Sequence, residues 1–423
     1  MAAPAHAAPI SAHAMVHTCC MESSVKERIF SEASELGAAY IRVDVELDPI
    51  FEKPGGAERP TPSWARLDEV VELSRRYAQP VVAILLAPRS DPSEFGARAG
   101  LVAEHVRGAI DHWEILNEPD ADWAFDGTAE DYAGMLSAAY DAIKARAPAA
   151  RVVLGGVQRP DRLGWLERVF ATPGADALHK FDVANLHLRG PVEPVVRRYG
   201  EFRSWLAERG FHGPVWVTEH GYPADPAFQF DPAYAGGDTS QAAYLTQSLV
   251  GLGEAGAEQV FVTLRDNLEG QYASEGLVHI DEATGNTVYR RPAFAAVRRL
   301  VNDWGQVMSW RQEQRENERL LPLDQAHLAD KVQKTRAARA EFREARLLVD
   351  AAEQALAAPR ASTKARRERL VRRLTLRLER ARGLLAGRRT MLLWDSAVTR
   401  WQRKRNYERA ATIYMLKQKV AGG

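Results

Sequence analysis

Cysteine is almost missing from this chain of 423 residues: the two present, Cys19 and Cys20, are neighbours. Adjacent thiols cannot staple distant segments, so the fold must rest on buried apolar surface. They read as two small buried thiols at a strand end, with a vicinal disulfide as the alternative. Long apolar runs are missing too, since none approaches the roughly 20 residues that cross a bilayer. Neither a G-x-G-x-x-G turn nor a P-loop occurs, which removes the usual nucleotide fingerprints. The 11 histidines form no H-E-x-x-H or H-x-H pattern, the cysteine pair lacks metal-ligand spacing, and no G-x-S-x-G elbow is found. The sequence therefore calls for no metal, no cofactor and no serine nucleophile.

Net charge is also nil, but the balance is uneven. Residues 311–423 carry 28 Lys and Arg against 13 Asp and Glu, and residues 1–310 carry 28 against 43. Two unlike parts are joined. The first 14 residues are rich in Ala, Pro and His, contain no Lys or Arg, and read as a disordered N-terminus without the basic start and apolar stretch of a signal peptide.

Apolar runs recur at 14–18, 40–45, 81–86, 113–116, 151–155, 183–187, 215–219 and 260–264, their starts 26 to 45 residues apart. Each gap holds a helix and two loops but is too long for a hairpin. Helical periodicity fills the gaps: Val25, Ile29, Ala33 and Leu36 share a face that ends at Gly37, and 67–77, 132–145 and 241–253 behave alike. Eight strand–helix units predict an α/β fold, a (β/α)8 TIM barrel over residues 15–310. The open doubly wound sheet is the alternative.

Two of the runs end on a glutamate. Trp113-Glu114-Ile115-Leu116-Asn117-Glu118-Pro119 closes strand four, and Val215-Trp216-Val217-Thr218-Glu219-His220-Gly221-Tyr222-Pro223 closes strand seven. Active sites in such barrels sit at the C-terminal ends of strands, so Glu118 and Glu219 should share one cleft. Two carboxylates, one protonating a leaving oxygen and one attacking carbon or activating water, are what glycoside hydrolysis requires.

The Asn117-Glu118-Pro119 motif, paired with the strand-seven glutamate, resembles clan A of the glycoside hydrolases. The likeness is to family 39, which includes β-xylosidases, and to related bacterial exopolysaccharide hydrolases. It extends over roughly residues 15–300 and includes Tyr40-Ile41-Arg42-Val43-Asp44-Val45, Trp64-Ala65-Arg66-Leu67-Asp68, Ile143-Lys144-Ala145-Arg146-Ala147-Pro148 and His187. The resemblance implies a retaining mechanism, with Glu118 as acid/base and Glu219 as nucleophile. It implies that Asn117 donates to the sugar 2-hydroxyl, that Arg42 lies beside the nucleophile, and that His187 floors the sugar subsite. Trp123, Tyr222 and His17 are further candidates for substrate contact.

The structural alternatives are a barrel-mouth hydrogen bond for His187, a pairing of Arg42 with Asp44 or another acid, and loop packing for Trp123. Where relatives carry aromatics, this chain has Leu264-Arg265-Asp266-Asn267, Leu47 and Leu188-Arg189. Arg265 or Arg189 would then favour an acidic sugar or a substituted polymer.

Residues 311–423 favour helix, and Pro322 and Pro359 punctuate an expected all-α extension, a helical hairpin or coiled coil. Its basic cluster, Arg366 to Arg377, would meet an anionic polymer or surface, or the tail would mediate self-association. The expected partner of the barrel is an oligo- or polysaccharide. The expected location is secreted or envelope-associated with any export signal lying upstream; the alternative is a cytoplasmic enzyme. The functional alternative is a catalytically silent carbohydrate-binding barrel whose tail serves assembly.

Overall fold

The structure, a computed structural model, describes residues 8–53, 56–87, 91–158, 163–266 and 270–334. Eight parallel strands form one sheet: β1 (Ile10–His17), β2 (Ile41–Glu46), β3 (Val81–Leu86), β4 (His112–Ile115), β5 (Arg151–Val153), β6 (Ala184–Leu188), β7 (Val215–His220) and β8 (Gln259–Thr263). Their order, β5-β4-β3-β2-β1-β8-β7-β6, runs sequentially around a ring. The end strands meet through parallel bridges at Val153 with Val183 and Val157 with Leu186, and the Leu154 N–H donates to the Val183 carbonyl at 2.9 Å. The result is a nearly closed TIM barrel.

A helix follows every strand, which is what parallel pairing demands of the connections. These are α1 (Ser23–Leu36) after β1, α2 (Leu47–Phe51) and α3 (Ala65–Arg76) after β2, α4 (Pro92–His105) after β3 and α5 (Ala129–Arg146) after β4. Then come α6 (Gly164–Ala171) after β5, α7 (Val192–Glu208) after β6, α8 (Asp238–Glu254) after β7 and α9 (Pro292–Lys334) after β8. Local chemistry sets their ends. Gly37 adopts the left-handed conformation that stops α1, Asp91 caps α4 ahead of Pro92, and Thr128 with Asp131 forms a capping box on α5.

The strands coincide with the apolar runs read from the sequence. The largest difference is at β1, which begins at Ile10, so the boundary placed at residue 14 falls inside the strand. Ser11 and His13 break the apolar pattern because both are buried polar residues, and Ser11 Oγ donates to Gln259 Oε1 at 2.7 Å. A hairpin of β9 (Val278–Asp281) and β10 (Asn286–Arg290), not anticipated from the sequence, precedes α9 and is tied to α1 by Arg290 with Glu32 at 2.7 Å.

The barrel interior is layered. Val82, Val153, Val183, Trp216 and Phe261 form a buried cluster with Tyr40 packed against it, and the rings of Tyr40, His112 and Trp216 lie 5.2–5.6 Å apart. Toward the mouth, the period of two along β2 puts Arg42, Asp44 and Glu46 on the face shared with Tyr40. An apolar floor thus supports a charged mouth.

The chain divides into two compact units, Met1–Gly305 and Gln306–Gly423. In the first, Ala293, Phe294, Val297, Leu300 and Trp304 of α9 are buried. Pro322, read as punctuating the start of the tail, lies inside α9. The remainder of the expected hairpin, with Pro359 and the basic cluster, lies outside the described residues. Among the described residues no helix is long and apolar enough to cross a membrane.

Candidate active site

β4 ends abruptly. Leu116 and Glu118 both take positive φ, 59° and 42°, a conformation that is strained for side chains of this kind. Each such residue costs about 1–3 kcal/mol and persists only where its surroundings enforce it. Here Asn117 is bridged to Gly156 beyond β5, and the Ala121 N–H donates to the Glu118 carbonyl at 2.9 Å. Glu118 is thereby turned into the barrel mouth. Its Oε1 lies 2.7 Å from His187 Nδ1, and its Oε2 accepts from Gln158 Nε2 at 3.1 Å.

Glu219 is aimed by a different device. The β7 register slips against β6 and again against β8 around Thr218 and Glu219. This irregularity lets two consecutive residues reach inward, as bulges beside active sites do. Thr218 Oγ1 meets Asn185 and His187, and Glu219 meets Arg42.

Arg42 is the hub. Its Nε and Nη2 form a bidentate pair with Glu114 at 2.9 and 2.7 Å, Nη2 also donates to Asn117 Oδ1 at 2.7 Å, and Nη1 donates to Glu219 Oε1 at 2.8 Å. Of the alternatives for Arg42, the carboxylate it grips is Glu114 and not Asp44. Holding Asn117 by its carbonyl oxygen leaves the amide nitrogen as the donor end in the cleft. On the other side of Glu219, Arg189 Nη1 donates to Oε2 at 3.1 Å.

These neighbours set the charge states. Burial alone would raise the Glu219 carboxyl, but His187, His13, Arg189 and Arg42 together hold it well below the ordinary carboxylate range. The two guanidiniums are the permanent charges in that set, since burial drops His13 to about 3. Asp44, another lining residue of the cleft, is pushed by burial up to about 6 despite His17 and Arg42 nearby. His17 moves upward through its hydrogen bond to Glu46.

Ligand atoms of Glu118, His187 and Glu219 all lie within 4.8 Å of one another. Such a triad has donors of the kind that can ligate a cation, but Glu219 already accepts from Arg42 and Arg189, one guanidinium on each oxygen.

The cleft has a volume of about 570 Å³, and Glu118, Glu219, Asn117, Arg42, His17 and Trp123 are among its lining residues. Trp123 is 69% exposed at its rim. His187 bridges toward both glutamates from beneath, 2.7 Å from Glu118 and 3.7 Å from Glu219. Gly156 makes room for it, because a Cβ there would come within 2.1 Å of the imidazole. Tyr222 is placed elsewhere. It is fully buried, stacked on Tyr244 at 4.2 Å, with its hydroxyl donating to the Asp231 carbonyl.

Neither arginine expected to recruit an acidic sugar is an uncommitted cation. Arg189 is paired with Glu275 and Glu219, while Arg265 pairs with Glu282 and donates to the Ala14 carbonyl at 3.1 Å, outside the cleft lining. Sequence reasoning missed Glu114, His13, Gln158 and Glu275. Glu114 and His13 carried a signal, a charged or polar residue alternating with apolar ones in a buried strand. Gln158 and Glu275 sit on loops and carried none.

No protein-family model and no curated protein matches the sequence. Solved structures do match in fold. A family 39 glycoside hydrolase from the gut symbiont Bacteroides cellulosilyticus WH2 superposes with a TM-score of 0.53 at 15% identity, covering 70% of this chain and 64% of that one. The chain thus spans just under two thirds of that enzyme's length. An exo-β-1,4-mannosidase from Opitutaceae bacterium strain TAV5 gives 0.51 at 16% identity over 70% of this chain and 59% of its own. A GH5_18 variant from Streptomyces cattleya, in complex with Manβ1-4GlcNAc, gives 0.50 at 16% identity over 70% and 81%. The fold is therefore one that glycoside hydrolases of these kinds use.

Proposed function

We propose that this protein is a retaining O-glycoside hydrolase acting on a β-linked oligo- or polysaccharide. The observation that carries the reading is the approach of Glu118 and Glu219 carboxylate oxygens to within 4.8 Å. Carboxyl groups roughly 5–5.5 Å apart suit direct attack on the anomeric carbon, whereas an inverting site leaves room for water between them.

In the first step Glu118 gives its proton to the glycosidic oxygen as Glu219 bonds to the anomeric carbon and the aglycone departs. In the second, Glu118 takes a proton from water, the water oxygen bonds to the same carbon, and Glu219 leaves as carboxylate. The environments support this division of labour. Two guanidiniums favour the ionised Glu219, and among the described residues none contacts Glu118. Asn117 presents its amide to the 2-hydroxyl, and Trp123 offers an exposed ring face at the rim.

The test is mass spectrometry after incubation with a panel of dinitrophenyl 2-deoxy-2-fluoro-β-glycosides, followed by peptide mapping. A label on Glu219, lost in Glu219→Gln, is the expected result. Sugar release without a label would indicate inversion; neither label nor release would favour the silent binding barrel.

A further inference from the structure

Glu275 is the most completely buried carboxylate of the cleft that the two-step reaction leaves unused. Its side chain is 2% exposed and its oxygens accept from Arg189 Nε at 2.9 Å and Nη2 at 3.0 Å, a bidentate fork. Thr263 Oγ1, at the end of β8, donates to Glu275 Oε2 at 2.8 Å. The backbone around it is equally fixed. Gln241 Nε2 on α8 donates to the carbonyls of Tyr222 and Glu275, both at 2.9 Å, and Arg291 Nη1 contacts both Asp266 Oδ1 and the Gly276 carbonyl. Gly221 lets Glu275 in, since a Cβ there would fall 2.3 Å from the Glu275 carboxyl carbon.

Arg189 is fixed from its own side as well. The Tyr244 hydroxyl donates to the carbonyl of the next residue, Gly190, at 2.6 Å, and the guanidinium lies 5.1 Å from the centre of the Tyr272 ring. With Nε and Nη2 given to Glu275, the remaining nitrogen, Nη1, is directed at Glu219 Oε2. A staple between the β6 and β8 ends would need only the fork. The third contact is what a staple does not explain, and a desolvated ion pair is poor value for stability compared with apolar packing.

We infer that Arg189, clamped by Glu275, is a positioning residue that fixes the Glu219 carboxylate opposite Arg42 and stabilises the charge this carboxylate regains when the glycosyl-enzyme ester breaks down. The inference rests on the glycosidase reading above. Glu219 is gripped on Oε1 by Arg42 and on Oε2 by Arg189, so its plane is set by two forks that are themselves anchored to Glu114 and Glu275. Oε2 is the oxygen nearer His187, and through it nearer Glu118. As the ester forms, this oxygen loses charge and the Arg189 contact weakens; as water displaces the enzyme, the charge returns and so does the contact. The clamp therefore favours deglycosylation over glycosylation.

The test compares Arg189→Gln/Glu275→Gln with the unaltered protein. The paired amides remove both charges together and so leave no lone buried charge at this pair, and folding is checked by circular dichroism and thermal melting. With a dinitrophenyl 2-deoxy-2-fluoro-β-glycoside that labels the unaltered protein, trapping and reactivation are timed separately. The expected result is reactivation slowed about 10–100-fold, trapping slowed less, and the acid limb of the trapping rate moved up by about one pH unit. Arg189→Lys, which keeps a charge near Glu219 but loses the fork, should restore the acid limb and not the reactivation rate. A folded double variant with unchanged reactivation and an unmoved acid limb would overturn the inference while leaving Glu219 as nucleophile intact. No label on Glu219 in the unaltered protein would overturn both.

Discussion

Glu118 and Glu219 lie in one cleft, are both buried, and both touch His187, yet their surroundings differ in every other respect. Glu118 stands on strained backbone at a strand terminus and has neutral or imidazole partners, Gln158 and His187. Glu219 stands inside a strand, turned inward by a register slip, and has two guanidiniums. The difference shows how a fold can separate two chemically identical side chains by controlling which charges reach them. Burial is common to both, so the decisive variable is the arginine.

The strongest way to break this comparison is to remove each carboxylate in turn. Glu219→Gln should lower kcat by roughly 10⁴-fold or more on every substrate, since the proposed glycosyl-enzyme bond is to this carboxylate. Glu118→Ala should cost about 10²–10⁴-fold on a poor leaving group and far less on a dinitrophenyl glycoside, which departs without a proton. Azide should restore part of the Glu118→Ala turnover by attacking the glycosyl-enzyme, and none of the Glu219→Gln turnover. Equal losses on both leaving groups would mean the roles are not divided.

Removing the charge that distinguishes the two sites should be the next largest effect, and it reads out in stability. Glu114 is fully buried and its partner is Arg42. Arg42→Gln leaves that carboxylate unpaired and should cost about 3–5 kcal/mol, measured by urea unfolding. Adding Glu114→Gln should recover part of the loss. A loss under about 1 kcal/mol would show that the hub is not what holds this layer together.

Asp44 sharpens the comparison with a smaller effect, because it is a buried carboxylate of the same cleft without a bidentate arginine. Burial raises it to about 6 from 3.8. The folded form keeps the proton over a range where the unfolded chain releases it. Its contribution is therefore fully present below about 3.8 and lost as pH rises through about 6. Asp44→Asn should leave stability near pH 4 almost unchanged and increase it at pH 8 by up to about 3 kcal/mol. Urea midpoints at the two pH values check this, and an equal shift at both would exclude titration of Asp44 as the cause.

Much of this arrangement was legible before any coordinates. The eight strands, the helices between them and the two strand-end glutamates follow from hydrophobic period and turn residues, which are local properties. Arg42 could be placed near Glu219 through the family resemblance, and the structure puts it at 2.8 Å. Glu114 stood in the motif itself, yet alternation reveals only that a strand residue points inward, not which cation meets it. Tyr222 illustrates the opposite error. Its place three residues past Glu219 predicts contact with substrate, but the chain turns after β7 and delivers it to an aromatic cluster with Phe230 and Tyr244.

Local sequence thus settled the barrel, because strand and helix periods are written in neighbouring residues, and it pointed to Glu118 and Glu219 at two strand ends. Partnership required the closed ring. Arg42 and Glu219 are 177 positions apart and Arg189 and Glu275 are 86 apart, so no local rule could pair them. The difference between the surroundings of the two glutamates, on which the proposed division of roles rests, comes into being only when distant strands bring their charges within hydrogen-bond reach.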